Sequence, residues 1–191
     1  AGPAVLPQSV IEETRDAVLD FAGLGVSIME VSHRDKTFDK VIVEAQADTL
    51  ALAGLSADEY AVVFVGGGAS MQFAMVPMNF LHTKADYINT GEWASKALKE
   101  AKMLGNAIEI ASSKGQNFNN IPKSFTCSAD ADYVHITTNN TIYGTEWKTV
   151  PDFGSVPVVA DMSSDMFGIV RDFKKYSLIY AGAQKNLGPA G

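Results

Sequence analysis

Residues 61–70 read AVVFVGGGAS, and this stretch indicates the fold class. Its first half, 61–65, is a short run of apolar and largely β-branched residues, which is typical of a buried strand. The run stops at three glycines, and apolar residues at helical spacing then predict a helix over 70–81. A strand, a glycine turn and a helix in this order favour an α/β protein with a parallel sheet.

Two predicted helices precede this stretch, and predicted strands with one more helix follow it. Further helices are predicted over 8–22, 38–53 and 93–104. The first of them opens after Pro7 and the second is closed by Gly54. Further strands are predicted over 85–89, 107–111, 133–138, 156–161 and 177–182, with the polar segment 112–130 as a loop. We therefore predict an α/β fold whose mostly parallel sheet is covered by helices on both faces.

Length, charge and composition narrow the class of protein. The 191 residues suit one domain, or one and a part, and 47% hydrophobic with 19% charged residues is ordinary for a globular chain. A net charge of −7 argues against nucleic acid or an anionic membrane as a partner. No apolar run reaches the length of a membrane span, and the start, AGPAVLPQS, lacks a basic region before an apolar one. Because Ala1 stands where a methionine is expected, we expect that the front has been trimmed.

Cysteine and histidine usage argues against a disulfide framework and a metal site. The single cysteine, Cys127, fits a reducing cytoplasm, and its neighbours give no sign of an activated nucleophile. We interpret it as a structural or surface thiol. The histidines His33, His82 and His135 are too far apart for a metal-binding spacing, so no metal is expected.

Ligands of parallel sheets bind where the strands end, and several informative residues stand at such places. The glycines of 66–68 and the following helix start offer unpaired N–H groups, which suit an anion, although a turn that serves only packing explains them equally. Asp161 closes a strand, where a buried carboxylate requires a cation or several donors; a helix cap or loop carboxylate is the alternative.

Three more strand ends carry polar or aromatic side chains. The run ITTNNTIYG, residues 136–144, supplies hydroxyl and amide groups, or is simply a turn. Trp93 stands at the start of a helix, where it is either a platform for a cofactor or a core residue. Lys185 follows a strand, where it is either a reactive amine or a lysine whose side chain reaches solvent. Together the five places supply an anion cup, an aromatic face, a carboxylate, a hydroxyl and an amine, which are the parts needed to hold pyridoxal 5′-phosphate.

Seven motifs, in order along the whole chain, resemble the phosphoserine aminotransferases, which are class V, fold-type I enzymes that use pyridoxal phosphate. They are AGPAVLP (1–7), MEVSHR (29–34), GGGASMQFAMVPMNFL (66–81), TGEWASKALKEAK (90–102), TNNTIYGTEW (138–147), ADMSSD (160–165) and AGAQKNLGPAG (181–191). The resemblance implies amino transfer between O-phospho-L-serine and 2-oxoglutarate, giving 3-phosphohydroxypyruvate and L-glutamate. It also implies a role in serine and pyridoxine biosynthesis, a cytoplasmic location and a homodimer.

The resemblance further implies the roles of individual residues. Lys185 would bind the cofactor covalently and move the proton during transfer, and Asp161 would pair with the ring nitrogen. Trp93 would stack on the ring, and Thr141 would contact the phenolic oxygen. The cofactor phosphate would be bound by Ala69, Ser70 and Gln184. The carboxylate or phosphate of the substrate would be bound by His33 and Arg34. Ala69 and Ser70 depart from members that carry arginine there, which removes one phosphate-binding charge.

Members of the family are much longer than this chain. We therefore expect residues 1–191 to be the N-terminal segment and most of the large cofactor-binding domain, without the small C-terminal domain. The missing part would supply phosphate ligands to the partner subunit, so the 191 residues alone are expected to be insufficient for activity. A non-catalytic fragment that binds cofactor or a partner chain is the alternative. Another class V enzyme, such as a desulfurase, is disfavoured by the lack of a suitable cysteine.

Overall fold

The computed structural model describes residues 4–189 and falls into two compact units. One comprises Ala4–Phe64, and the other begins at Val65 and contains all the sheet strands. Residues 1–3 and 190–191, which belong to the first and last of the seven motifs, lie outside the described residues.

The unit of residues 4–64 is helical. Helix α1, Gln8–Leu19, begins after Pro7 as predicted but ends earlier than residue 22, because the backbone of Asp20 is extended (φ −154°, ψ 101°). Helix α2 spans Lys36–Ala53 and ends at Gly54, whose φ of 65° is left-handed, as predicted. Short 3-10 turns lie at Phe21–Gly23 and Ile28–Glu30.

The predicted strand at 61–65 is wrong. The segment joins no sheet among the described residues, and the boundary between the two units falls inside it, after Phe64. Val63, Phe64 and Val65 are all more than half exposed. An apolar, β-branched run becomes a strand only where a neighbouring strand takes its backbone hydrogen bonds, and none does so here.

The unit that begins at Val65 is built on a five-stranded, all-parallel sheet in the order β2-β1-β3-β6-β7. Its strands, which match the predicted ones closely, are β1 Ala85–Asn89, β2 Ala107–Ser112, β3 Tyr133–Thr137, β6 Val158–Asp161 and β7 Leu178–Tyr180. A two-stranded antiparallel hairpin, β4 Asn139–Asn140 and β5 Thr145–Glu146, follows β3 and was not predicted. The 112–130 segment is a loop with one 3-10 turn, Lys114–Gln116.

Two helices, α3 (Gly68–Phe80) and α4 (Glu92–Leu104), form a core with one face of this sheet. Side chains alternate between faces along a strand, and register pairs place Tyr87, His135 and Val159 on that same face. The buried core consists of Phe73, Val76, Ala85, Tyr87, Ala97, Leu98, Ala101, Ala107, Tyr133, Val159 and Tyr180.

The opposite face of β1 meets the long loop. Asp86 is fully buried there and accepts hydrogen bonds from the backbone N–H of Ser128 (2.6 Å) and from the Cys127 thiol (3.3 Å). Burial and the adjacent Asp86 raise the pKa of Cys127 to about 12, so its thiol keeps its proton at neutral pH.

The three histidines have different surroundings. His135 is buried beneath the helices, stacks on Tyr87 and shares a 2.9 Å hydrogen bond between its Nε2 and the Tyr180 hydroxyl. Burial lowers its pKa to about 3, so the imidazole is neutral. His33 and His82 are exposed.

Candidate active site

The carboxyl ends of β1, β3, β6 and β7 meet at one edge of the sheet, and most of the predicted site residues lie just beyond them. Trp93 occupies the first turn of α4, directly after β1, and Thr141 lies in the hairpin loop after β3. The Trp93 Nε1–H donates to the Thr141 hydroxyl over 3.2 Å. The predicted platform and the predicted hydroxyl are therefore in direct contact.

Asn140, next to Thr141, links the hairpin to the segment between β1 and α4 that carries Trp93. It is fully buried, its amide donates to the Thr90 hydroxyl (2.9 Å), and its Oδ1 accepts from the Ala94 N–H (3.3 Å) at the start of α4. The backbone of Gly91 passes so close that a Cβ there would lie 2.5 Å from the Asn140 side chain. Gly91 is thus required for a close approach between the β1 and β3 ends.

Asp161 is the last residue of β6 and is 4% exposed. Its Oδ1 accepts from the Ser163 backbone N–H (2.9 Å) and from the Ser163 hydroxyl (2.6 Å). Burial raises the pKa of the Asp161 carboxyl, while the Ser163 hydrogen bonds and the charge of Lys185 act in the opposite direction. A buried carboxylate with this balance is stabilised by a cation placed beside it.

Lys185 lies in a turn that follows β7 and is half-buried. Its Nζ is 5.9 Å from the centroid of the Trp93 ring, and its charge acts on Asp161. The Gly188 N–H donates to the Ala183 carbonyl (2.9 Å) and closes the turn around Lys185. Amine, indole face and carboxylate therefore come from three different strand ends and converge.

The predicted phosphate-binding residues lie in the same unit. Ala69 and Ser70 are in the first turn of α3, where Ala69 is half-buried and Ser70 is exposed. The N-cap is Gly67, which has a left-handed φ of 90° and provides no side-chain cap, so the first N–H groups of the helix keep no side-chain partner there. Gln184 directly precedes Lys185, and its side chain folds back towards Gly182.

His33 and Arg34 lie in the other unit. They form an exposed turn just before α2, which belongs to residues 4–64. Their role in substrate binding stays a prediction.

Sequence reasoning missed the residues that support the site. Besides Ser163 and Asn140, a buried network lies behind Asp161. The Thr138 backbone N–H donates to the Asp161 carbonyl (3.0 Å), the Thr138 hydroxyl donates to Asp165 (2.5 Å), and Arg171 pairs with Asp165 (2.5 Å). The spacing of Asp161 and Ser163, two residues apart after a strand, is a turn signal that points to their bond. The other contacts join distant parts of the chain, and no local pattern reveals them.

An open groove lined in part by Lys123, Glu146 and Trp147 contains none of the predicted site residues. Within residues 4–189, no three His, Cys, Asp or Glu side chains are grouped so as to hold a metal ion. In the same range, no helix has both the length and the apolar character that crossing a bilayer requires.

The parallel sheet, with an amine, an indole and a buried carboxylate at its carboxyl edge, defines the class of the protein. The family model described as aminotransferase class-V matches residues 1–191, and the chain belongs to this family.

Within the family, the chain is similar to phosphoserine aminotransferases. It is 58% identical over 191 residues to that of Bacteroides fragilis, covering 100% of this chain and 53% of the relative. Its fold matches the solved phosphoserine aminotransferase of Bacillus circulans subsp. alkalophilus with a TM-score of 0.95 at 49% identity, covering 100% and 54% of the two chains. It matches the PLP-bound phosphoserine aminotransferase of Trichomonas vaginalis with a TM-score of 0.86 at 32% identity, covering 100% and 55%. The chain spans about half the length of the curated relatives it matches.

Proposed function

We propose that this chain carries the cofactor site of a pyridoxal-phosphate-dependent phosphoserine aminotransferase. The reaction converts O-phospho-L-serine and 2-oxoglutarate to 3-phosphohydroxypyruvate and L-glutamate, and it runs in the reverse direction for serine biosynthesis. The observation that carries the proposal is the convergence of Lys185, the Trp93 ring and the buried Asp161 carboxylate. The similarity to phosphoserine aminotransferases along the whole chain supports the substrate class.

The chemistry of the side chains fits pyridoxal phosphate group by group. Asp161 is buried and suits a protonated ring nitrogen, because that cation offsets the cost of the buried carboxylate. The indole of Trp93 matches the flat ring, and the Thr141 hydroxyl, held by the Trp93 Nε1–H, matches the phenolic oxygen. The start of α3, beside Gly67, suits the phosphate.

Each residue has a defined task in this proposal. When bound, the cofactor supplies an electron sink for the electrons of a bond at the substrate Cα. Asp161 holds the proton on the ring nitrogen, which keeps that sink effective. The Lys185 Nζ would hold the cofactor when no substrate is bound and, once released, would carry the proton away from the substrate Cα. Trp93 and Thr141 fix the plane of the ring.

Anion binding completes the proposal. Neutral donors at Ala69, Ser70 and Gln184 hold part of the cofactor phosphate, and His33 with Arg34 binds the acidic groups of the substrate. We infer that further phosphate ligands come from the partner subunit of a homodimer, because these neutral donors do not balance the phosphate charge. Exposed apolar side chains in the same unit, Met71, Met78 and Ile142, are available to such an interface. The single cysteine allows no disulfide within the chain, which fits a cytoplasmic protein.

The test is to trap the cofactor on its lysine. Protein expressed from the complete gene is incubated with pyridoxal phosphate, reduced with borohydride and digested, and the modified peptide is identified by mass spectrometry. We expect the modification on Lys185, together with glutamate formation from O-phospho-L-serine and 2-oxoglutarate. Lys185→Ala should abolish both.

Lys96 provides a matched control. Its Nζ also lies near the Trp93 ring, 4.6 Å from the centroid, but it is on the exposed side of α4. Lys96→Ala should retain the modification and the activity. Modification of Lys96 in place of Lys185, or a loaded protein that forms glutamate from other amino donors but not from phosphoserine, would contradict the proposal.

A further inference from the structure

Ser163 stands between two parts of the site and makes three hydrogen bonds. Its backbone N–H and its hydroxyl both donate to Oδ1 of Asp161, over 2.9 and 2.6 Å. The same hydroxyl oxygen accepts from the N–H of Gly182 over 3.1 Å. Gly182 lies just beyond β7, at the start of the segment that carries Lys185. One side chain therefore connects the carboxylate at the end of β6 with the lysine segment after β7.

The two carboxylate oxygens of Asp161 differ in their hydrogen bonds. Both hydrogen bonds from Ser163 go to Oδ1, and neither uses Oδ2. With Oδ1 held at two points, rotation of the carboxylate about its last bond is restrained, and the lone pairs of Oδ2 stay available. The Gly182 contact also fixes the direction of the hydroxyl: its oxygen accepts from Gly182, so its single proton is directed to Asp161.

We propose that Ser163 is a positioning residue, which holds Asp161 by Oδ1, reserves Oδ2 for the protonated ring nitrogen of pyridoxal phosphate and ties the Lys185 segment to that carboxylate. The inference rests on the proposed function. Two neighbouring charges, those of Lys185 and Asp165, act on Asp161 in opposite directions, and the neutral Tyr180 lies beside it in the sheet register. Burial raises the pKa of Asp161, and the Ser163 bonds counteract this rise and favour the ionised form.

The test follows the proton on the ring nitrogen. Protein expressed from the complete gene is loaded with pyridoxal phosphate labelled with ¹⁵N in the ring, and the chemical shift of that nitrogen reports whether it is protonated. In Ser163→Ala we expect a shift towards the unprotonated form at neutral pH and cofactor binding that is about 10-fold weaker or more, since a hydrogen bond to a charged group is lost. Ser163→Thr, which keeps the hydroxyl, should restore both values.

Ser164 is the matched control. It is also half-buried, but its hydroxyl donates to the Asn139 carbonyl (3.0 Å) and not to Asp161. Ser164→Ala should therefore leave the ring-nitrogen signal and the cofactor affinity unchanged. If Ser163→Ala does not fold, Ser163→Cys, whose thiol is a weak donor of similar size, replaces it.

Two results would overturn the inference alone. One is a loaded Ser163 variant with the wild-type nitrogen signal and affinity, and the other is the same change in Ser164→Ala as in Ser163→Ala. Failure of the wild-type protein to hold pyridoxal phosphate on Lys185 is a different result, because it overturns the proposed function and this inference with it.

Discussion

Replacing Asp165 by alanine should destabilise the unit that begins at Val65 by about 3–5 kcal/mol, the loss typical of a buried ion pair that loses one partner. The side chains of Asp165 and Arg171 are 4% and 3% exposed and lie 2.5 Å apart. The nearest other acid, Glu146, is 3.9 Å from the same guanidinium and compensates it only in part. Asp165 also accepts from the Thr138 hydroxyl, which loses that partner in the variant. Since whole domains are stable by about 5–15 kcal/mol, this change removes a large share.

Tryptophan fluorescence during urea unfolding reports on this unit selectively. The chain has two tryptophans, Trp93 and Trp147, and both lie in the unit that begins at Val65. The free energy of unfolding is obtained from the transition midpoint and slope, and an unchanged slope shows that the change is one of stability.

Two comparisons test the reasoning. The double variant Asp165→Leu with Arg171→Met removes both buried charges and should recover most of the lost stability. Glu92→Gln breaks an exposed i,i+4 pair with Lys96, 3.8 Å apart, and should change stability by only about 0.3–0.5 kcal/mol. Two results would contradict the claim that Asp165→Ala destabilises the unit by leaving the Arg171 charge buried without its partner. One is a loss of stability below about 1 kcal/mol in Asp165→Ala, and the other is a double variant that is no more stable than Asp165→Ala.

Two further predictions follow from close contacts. Gly91→Ala places a Cβ 2.5 Å from Asn140, so it should lower stability by about 1–3 kcal/mol and weaken cofactor binding. Unfolding measures the first effect, and titration with pyridoxal phosphate measures the second. Gly115→Ala, whose Cβ would meet nothing within 4 Å, should have neither effect. Burial alone would raise the pKa of Asp132, but backbone hydrogen bonds lower it, so its contribution to stability is full above about pH 4 and is lost as the pH falls below that value. Unfolding at a series of acidic pH values should show a steeper loss in the wild type than in Asp132→Asn; equal slopes would contradict the assignment.

The sheet was predictable because its strands are short and rich in apolar or β-branched residues, and because polar segments or helices separate them. Strand β3, Tyr133–Thr137, is buried at every position, and so is β6, Val158–Asp161; most of their residues are apolar or β-branched, which is the pattern of a strand buried on both faces. Helix α2 was predictable to its end because Gly54 supplies a left-handed cap. The segment 61–65 has the same composition as a strand, but composition does not reveal whether a partner strand is present.

Lys185, Trp93 and Asp161 come together because parallel strands bring their carboxyl ends to one edge, a rule that applies without knowledge of contacts. The supporting bonds follow no such rule. Asn140 reaches Thr90, 50 residues away, and Thr138 reaches Asp165, 27 residues away. The hairpin Asn139–Asn140 with Thr145–Glu146 consists of two-residue strands, which are too short to show alternation.

The order of the strands has a consequence for how the protein is made. Strand β1 has its ladder partners in β2 and β3, and β6 lies between β3 and β7, so the sheet grows towards the carboxyl-terminal side as the chain is synthesised. At about 5–20 residues per second, several seconds separate the appearance of Trp93 from that of Lys185 on the ribosome. Within this interval, from the synthesis of β6 until that of β7, β6 has an open edge, and Asp161 lacks the β7 neighbour that covers it. A nascent chain paused before residue 178 therefore exposes an unpaired strand, which makes that interval the time at which chaperone binding protects it most.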